Sequence, residues 1–395
     1  MADEVPRRAM WAGLRSQLVM LTSQFLTSAD DYQRFRAVCK SWRSAIPLRP
    51  DHLPTQLPFL LLVSTSEPRF RSAFRLTGAS TGNVRSLPNT ANMSCIGTSF
   101  GWLILLSMEG HLINLFNPVT AEDIRLPSLD GLPFDHVAPD ADAAAIVVEK
   151  AVLSSDPTLD RDFVVVLFIR DVNIGWCTWR QGDESWTTNA NPGVQPTSRM
   201  RDVVPYGNRM LCAIYGGNDC LAVLQIDPGP PGRATIAAWY GMPTCVPRTY
   251  RPTHLVVSNG ELLLVTFDYN RTADGEMTPG FRVFRLETGG INRPAVAIEV
   301  EDIDNRILFL SQSSSVSVGA EDLGFQGNAI YFVFKEEIEQ GEYRSLWNVG
   351  VQNLESGEIT EVVDSDVTDE SGLKWPIRSS DVPRWVPPNL RSYNQ

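Results

Sequence analysis

Apolar and polar residues follow a helical pattern only in the first fifty residues of the chain. Four apolar residues recur there at the spacing i, i+4, i+7 and i+11, namely Leu14, Leu18, Leu21 and Phe25. Because residues with this spacing share one face of a helix, the pattern predicts an amphipathic helix. The segment from Ser28 to Asp31 offers a hydroxyl cap followed by carboxylates, which favours the start of a second helix.

A second apolar stripe lies in the basic segment from Tyr32 to Ala45. Its members are separated by three, one and three residues, and they are Phe35, Val38, Cys39 and Trp42. This spacing puts them on one helical face, with the basic side chains mostly off it. Pro47 and Pro50 end the helical region. Periodicity alone favours a local helical hairpin that caps the main domain.

From about Pro58 onward, short β-prone runs are separated by Gly, Pro, Asn and Asp. The clearest unit extends from Gly101 to Pro127 and contains three predicted strands, Trp102–Leu106, His111–Phe116 and Glu122–Leu126. Such an antiparallel meander is the building block of a propeller blade or a barrel. The segment from Pro58 to Pro88 contains two further β-prone runs and is interpreted as part of the first blade.

Related strand pairs follow Gly207, Gly260 and Gly327, which are 53 and 67 residues apart. Kelch-type blades repeat at about 50 residues, and loop insertions would lengthen that spacing. The sequence therefore predicts a mainly β protein, a β-propeller of about six blades. A large β-sandwich would also give short strands with turn signals between them.

Two resemblances sharpen this interpretation. The run from Arg34 to Arg43, Arg-Phe-Arg-Ala-Val-Cys-Lys-Ser-Trp-Arg, resembles the second half of an F-box, a three-helix motif that docks onto the Skp adaptor of a cullin–RING ubiquitin ligase. The body resembles the kelch-related propeller domain found behind plant F-boxes. The matching segments are Cys95–Leu103, Leu115–Thr120, Asp304–Leu310, Gly327–Phe332 and Arg384–Pro388.

The resemblance implies an F-box-like adaptor-binding module at residues 8–50 and a kelch-like β-propeller at residues 58–390 that recognises a substrate. The protein would be a non-catalytic substrate receptor of a Skp–cullin–F-box ubiquitin ligase, with propeller loops that bind an unidentified target protein. The implied adaptor-binding residues are Leu14, Leu18, Leu21, Phe35, Val38, Cys39 and Trp42. F-boxes usually open with Leu-Pro, whereas Arg15 follows Leu14 here. An interaction scaffold with a degenerate F-box, outside any ligase, therefore stays open as the alternative.

Charge and cysteine usage narrow the class of partner. Residues 1–50 hold eight basic and four acidic residues, net +4, and the remainder holds 26 basic and 42 acidic residues, net −16. An acidic body argues against nucleic-acid binding. The six cysteines show no CxxC spacing, which is typical of reduced thiols in a chain of this length. The apolar runs are too short to span a bilayer, and the first residues lack the apolar core of a signal peptide. We expect no membrane partner and a cytoplasmic or nuclear location.

The sequence contains no recognisable catalytic motif. The four histidines are scattered without ligand spacing, and no cofactor fingerprint is present, so we expect no metal site and no cofactor. The segment from Gly97 to Gly101 is interpreted as a turn whose hydroxyls stabilise it. The segment from Asp364 to Glu370 lacks the glycine and glutamate of a calcium loop. A propeller glycosidase would require two facing carboxylates in the central funnel.

Trp176 and Trp179 lie in one predicted strand–turn–strand region together with Trp186. Strand alternation puts Trp176 and Trp179 on opposite faces, so they cannot fill the same core. Either one of them is exposed at the propeller rim, or one fills the blade core while the other contacts a neighbouring blade.

Overall fold

The computed structural model describes three helices near the amino terminus and strands through the rest of the chain. The described residues are 11, 13–47, 50–63, 71–75, 85–87, 90–107, 111–130, 132, 148–169, 175–189, 200–207, 209–215, 220–227, 233–242, 253–271, 277–287, 295–311, 314–321, 323–336, 346–361, 377–378 and 383–389. The helices are α1 (Ser16–Ser23), α2 (Ala29–Ala37) and α3 (Lys40–Ala45). The chain becomes extended at Ile46, just before the predicted stop at Pro47.

The start of α2 agrees with the prediction, but its cap does not come from the predicted residue. Ser28 occupies the N-cap position, and its side chain makes no capping hydrogen bond. Instead the Gln56 side chain accepts a hydrogen bond from the backbone N–H of Ala29 at 3.0 Å. A residue 27 positions away therefore satisfies one of the amides that helix geometry leaves without a partner.

Twenty-six strands form six sheets within the described residues. Blade 1 contains β1 (Phe59–Val63), β2 (Arg71–Arg75), β3 (Arg85–Leu87) and β26 (Arg384–Val386). Blade 2 contains β4 (Met93–Ser99), β5 (Trp102–Ser107), β6 (Ile113–Phe116) and β7 (Asp123–Arg125). Blade 3 contains β8 (Val148–Leu153), β9 (Val164–Ile169), β10 (Trp176–Arg180) and β11 (Thr187–Asn189).

The second half of the chain supplies the other three sheets. Blade 4 contains β12 (Met200–Pro205), β13 (Met210–Tyr215), β14 (Cys220–Asp227) and β15 (Arg233–Gly241). Blade 5 contains β16 (Thr253–Ser258), β17 (Glu261–Arg271), β18 (Met277–Glu287) and β19 (Val296–Val300). Blade 6 contains β20 (Arg306–Ser311), β21 (Ser314–Gly319), β22 (Ala329–Glu336), β23 (Leu346–Asn353), β24 (Ile359–Glu361) and β25 (Ile377–Arg378).

Six clusters of buried side chains join successive blades into a closed ring. Leu61 of blade 1 packs in the same cluster as Leu103 of blade 2, and similar clusters link each following pair. The last cluster returns from Phe309 of blade 6 to Leu60 of blade 1. The strands β4, β8, β12, β16, β21 and β26 contact one another in that order and form the inner edge of the ring. The predicted β-propeller is confirmed, whereas its kelch-like character and the two domain boundaries stay predictions.

Both faces of a blade are covered by neighbouring blades. Strands in the middle of a blade are therefore apolar throughout and do not alternate between apolar and polar residues. Every residue of β9 is buried, with Val164 facing blade 4 and Val165 facing blade 2. Trp176 and Trp179 lie on opposite faces as predicted, and both are buried. The hypothesis that one of them is exposed at the rim is therefore wrong, because each face of blade 3 packs against another blade.

The carboxyl-terminal strand completes the first blade. Trp385 and Val386 of β26 pair with Leu60 and Phe59 of β1. The Trp385 side chain is fully buried, and its Nε1 donates to the carbonyl oxygen of Leu310 in blade 6 at 3.2 Å. The predicted placement of the segment after Pro58 in the first blade agrees with β1 and β2.

Blade 6 departs from the simple meander order of blades 2 to 5. The hairpin of β20 and β21 turns inward, so that β21 forms the inner edge and β20 lies second. The next strand, β22, then runs parallel to β20, with Ile307 opposite Ala329. The chain between them passes through Gly327, where a Cβ atom would lie 1.9 Å from the side-chain oxygen of Asn305.

Two local interpretations differ in the structure. His111 does not begin a strand, because its φ of 52° is left-handed and β6 begins at Ile113. Its Nδ1 lies 2.9 Å from the Asp130 carboxylate. The Ser99 hydroxyl does not stabilise its own turn but accepts a hydrogen bond from the N–H of Leu153 in blade 3 at 3.1 Å. The segments 108–110 and 364–370, predicted as a turn and an acidic loop, lie outside the described residues.

Candidate docking surface on the helical module

Helix α1 has a buried face and an opposite apolar face that is exposed. Its buried residues are Val19 and Ser23, which are not members of the predicted stripe. Leu18 and Leu21 are 49% and 55% exposed. Phe25 lies two residues beyond the helix end and is 85% exposed. The later part of the stripe therefore marks a face that no other part of the described chain covers, whereas Leu14 is partly buried against the apolar cluster of blades 1 and 2.

Trp42 of α3 forms the centre of the helical module. It is buried, its ring centroid lies 4.4 Å from that of Phe35, and its Nε1 donates to the carbonyl oxygen of Trp11 at 3.1 Å. The Cys39 sulfur accepts a hydrogen bond from the Trp42 N–H and caps α3. Three residues of the predicted second stripe therefore contact one another and hold α2 and α3 together.

The seven predicted adaptor-binding residues fall into three groups by exposure. Leu18, Leu21 and Val38 are exposed, Leu14, Phe35 and Cys39 are partly buried, and Trp42 is buried. The structure brings Phe35, Cys39 and Trp42 together in the interior of the module. Leu18 and Leu21 share the outer face of α1, and Val38 lies at the carboxyl end of α2.

Exposed apolar side chains are concentrated on this module. Among the described residues, six of the eleven exposed large hydrophobic side chains lie in it: Trp11, Leu18, Met20, Leu21, Phe25 and Val38. We call these six the exposed apolar set. Contiguous exposed apolar patches mark interaction sites in proteins, and Leu18 and Leu21 share the outer face of α1. Sequence reasoning did not select Trp11 or Met20. Trp11 lies three residues before Leu14 and would extend the first stripe, whereas Met20 lies off it.

Basic side chains accompany the exposed apolar set. Arg15, Arg34, Lys40 and Arg43 are exposed, and only Asp31 forms a described ion pair with one of them, at 3.3 Å from Arg34. Arg36 is partly buried and donates to the carbonyl oxygen of Ile46 at 2.5 Å. Burial lowers the pKa of this guanidinium. The module thus combines apolar side chains with positive charge, on a body that is acidic.

Arg15 occupies the N-cap of α1, where the resemblance leads one to expect a proline. Its φ of −60° and ψ of 137° are extended values, and its side chain makes no capping hydrogen bond. Proline fixes φ near −65°, so the backbone at this position already has the conformation that a proline would impose. The substitution therefore alters the surface of the module and leaves the start of the helix unchanged.

Polar contacts attach the module to the segment that precedes β1. Gln56 donates to the carbonyl oxygens of Thr27 and Pro54 at 2.9 Å each, in addition to accepting from Ala29. The Tyr32 hydroxyl donates to the carbonyl oxygen of Pro47 at 2.8 Å. Buried residues of the helices belong to the same apolar cluster as those of blades 1 and 2. The module is therefore packed directly on the propeller.

A second group of polar side chains lies at the inner edge of the ring. Lys150 of β8 pairs with Asp202 of β12, and both side chains are buried. Asp202 also accepts hydrogen bonds from the N–H groups of Val203 at 2.8 Å and Leu255 at 2.7 Å. Burial lowers the pKa of the neighbouring His254 to about 4. Three donors from three blades therefore converge on Asp202, and the arrangement is suited to joining blades.

The described residues contain no group of three or more His, Cys, Asp or Glu side chains placed to hold a metal ion. No described helix is long and apolar enough to cross a membrane.

Comparison with known proteins gives matches over most of the chain. The model of the KIB1-4 β-propeller family matches residues 74–357. The F-box protein SKIP23 of Arabidopsis thaliana is 25% identical over 437 residues, covering 97% of this chain and 97% of that protein. The F-box protein At2g17036 of the same plant is 24% identical over 413 residues, covering 95% of this chain and 94% of its own length. Among solved structures, the β-propeller domain of Cps50 (Swd1) from Myceliophteria thermophila aligns with 80% of this chain and 91% of its own, at 12% identity and a TM-score of 0.36.

Proposed function

Because this chain belongs to the KIB1-4 β-propeller family, and because it is similar over nearly its whole length to plant F-box proteins, we propose that it is a substrate receptor of a Skp–cullin–F-box ubiquitin ligase. The helical module docks to the Skp adaptor, and the propeller binds a target protein. The observation that carries the proposal is the exposed apolar set on helices that resemble an F-box.

The proposed docking residues act in two ways. Leu18, Leu21 and Val38 are exposed and contact the adaptor directly, since burial of apolar area drives association. Trp42 acts indirectly, because it is buried in the free chain and keeps α3 against Phe35. Leu14 and Cys39 are partly buried and support the same surface. The basic residues around the set favour an acidic adaptor surface and raise the rate of association.

The receptor performs no bond chemistry in this proposal. It raises the effective concentration of target lysines near the charged ubiquitin carrier, which is a contribution from proximity alone. Direct packing of the module on blades 1 and 2 suits this role, because it limits the positions that a bound target can take. A receptor of this kind would act in the cytoplasm or the nucleus, as the cysteine usage leads us to expect.

The test compares two exposed leucine pairs in the full-length chain. Leu18→Glu with Leu21→Glu places charges on the outer face of α1, and glutamate is a good helix former, so the helix stays intact. Leu112→Glu with Leu159→Glu changes two equally exposed leucines of the propeller and serves as the matched control. Binding to a purified Skp adaptor is measured by calorimetry, and folding is measured by thermal unfolding.

We expect the first pair to weaken binding at least about 30-fold, as the loss of hot-spot contacts does, with an unchanged melting temperature. The control pair should bind within about twofold of the wild-type chain. Equal loss in both pairs, or none in the first, would contradict this docking face. Absence of binding by the folded wild-type chain would favour the scaffold alternative, for which Arg15 at the N-cap is the supporting observation.

A further inference from the structure

Lysine is almost absent from this chain, although arginine is abundant. The sequence contains four lysines, Lys40, Lys150, Lys335 and Lys374, and 30 arginines among its 34 basic residues. Lysine is ordinarily among the commonest residues of soluble proteins. No lysine occurs between Lys150 and Lys335, a stretch that contains all of blade 4 and blade 5.

The side chains of lysine and arginine differ in the reaction that a ubiquitin ligase promotes, the transfer of ubiquitin to an amine. A neutral lysine ε-amine attacks the carbonyl carbon at the end of ubiquitin, an isopeptide bond forms, and the thioester bond to the carrier cysteine breaks. The carrier leaves as a thiolate, and the amine loses a proton to solvent. A guanidinium is delocalised and stays protonated at every accessible pH, so arginine supplies the same positive charge without a nucleophile.

The remaining lysines offer few reactive amines in the described structure. Lys150 is buried and paired with Asp202, so its ammonium is not accessible. Lys40 is exposed, but it is the first residue of α3, within the module that docks to the adaptor in our proposal. The described residues of blades 2 to 5 therefore present no exposed lysine, whereas Arg125, Arg161 and Arg233 are exposed there.

We infer that this receptor is a poor acceptor of ubiquitin within its own ligase, because arginine replaces lysine over its surface. The inference rests on the proposed receptor function. A receptor stays beside the charged carrier through many cycles, so each of its own amines would compete at high effective concentration with the amines of the target. Replacing lysine with arginine removes that competition and retains the positive charge.

The experiment restores amines on three blades of the full-length chain. The test variant carries Arg125→Lys, Arg161→Lys and Arg233→Lys, and the control variant carries Arg→Gln changes at the same positions, which remove the guanidinium without adding an amine. Each chain carries a lysine-containing peptide fused to its carboxyl terminus and is assembled with adaptor, cullin, RING protein, charged carrier and ubiquitin. Conjugates on the receptor and on the peptide are counted by mass spectrometry.

We expect the lysine variant to acquire receptor conjugates at least threefold faster than the wild-type chain, with sites at the introduced lysines, while the glutamine variant matches the wild-type chain. If the fused peptide is modified but the introduced lysines are not, the inference is wrong and the receptor function stands. If the folded wild-type chain neither binds the adaptor nor modifies the peptide, the proposed function fails and the inference falls with it.

Discussion

At the scale of single residues, the Asp202 carboxylate joins three successive blades. It accepts a hydrogen bond from Lys150 of blade 3, lies on β12 of blade 4, and accepts another from the Leu255 N–H of blade 5. A buried ion pair is costly to break, because the remaining charge has no solvent to stabilise it. The pair therefore fixes the inner edge of these blades more than it adds net stability.

His254 beside this pair makes the free energy of unfolding depend on pH. Burial lowers its pKa to about 4 in the folded chain, with opposing effects from Asp202 and Lys150, whereas an unfolded histidine titrates near 6.5. Between these values the unfolded chain binds a proton that the folded chain does not. Lowering the pH through this window therefore shifts the equilibrium towards unfolding, by up to about 3 kcal/mol for this residue.

We predict that His254→Gln makes the free energy of unfolding less dependent on pH between about 4 and 6.5. Urea unfolding at pH 7, 6, 5 and 4.5 gives the free energy of unfolding of the variant and of the wild-type chain. The two free energies should converge as the pH falls, because only the wild-type chain loses the contribution of His254. Titration of the carboxylates affects both chains equally. His52→Gln, at an exposed histidine, should follow the wild-type profile. Parallel curves for His254→Gln would mean that His254 does not titrate below its ordinary range.

At the scale of elements, a blade strand must pack on two neighbours, and close approaches call for glycine. A Cβ atom at Gly97 of β4 would lie 2.0 Å from the Ala151 carbonyl oxygen of β8. That oxygen belongs to the backbone of the adjacent blade and cannot move aside without shifting the blade. Gly97 therefore sets how closely blades 2 and 3 approach at the inner edge.

We predict that Gly97→Ala lowers the free energy of unfolding by about 3 kcal/mol, through the overpacking that a buried methyl group causes. Gly241→Ala is the matched control, because no atom lies within 4 Å of a Cβ atom at that strand glycine. Its effect should stay within about 0.5 kcal/mol. Urea denaturation measures both, and similar losses in the two variants would contradict the proposed blade contact.

At the scale of the whole molecule, the ring is held closed by a short carboxyl-terminal segment. The strand β26 pairs with β1, and Trp385 packs with its ring centroid 5.0 Å from that of Phe309 in blade 6. Beyond the strand, Asn389 donates to the Asp156 carboxylate of blade 3 at 3.2 Å. The first and last described strands of the propeller are therefore joined non-covalently, and the amino-terminal module packs on the blade that they complete.

We predict that deleting residues 383–395 lowers the melting temperature by at least about 4 °C. Burial of one large aromatic side chain alone contributes about 3–5 kcal/mol, and about 0.8 kcal/mol shifts the melting temperature of a chain of this length by about 1 °C. Deleting residues 391–395 retains all described contacts of β26 and should leave the melting temperature within about 2 °C. Circular dichroism during heating measures both truncations. An unchanged melting temperature in the longer deletion would show that β26 is dispensable for closure.

The degree to which the site could be predicted varies from residue to residue. Periodicity identified Leu18 and Phe35 as apolar helical positions, but it gave no means of telling that the first is exposed and the second partly buried. Both Trp176 and Trp179 were placed on the correct faces, yet their burial depended on neighbouring blades. Ser99 was assigned to its own turn because sequence reasoning reaches only nearby partners, whereas Leu153 lies on another blade.

Local patterns of residues suffice to predict the elements: short helices, then strands of apolar residues broken by turn residues, and the F-box-like run from Arg34 to Arg43. Helices and strands depend on the backbone preferences of their residues and on the spacing of apolar side chains. Both can be recognised from residues that are close together in the sequence. The folded chain was needed to learn which apolar residues stay exposed, that Asp202 joins blades 3 to 5, and that β26 completes the first blade. Those outcomes depend on contacts between residues far apart in the chain, and no local pattern encodes a distant partner.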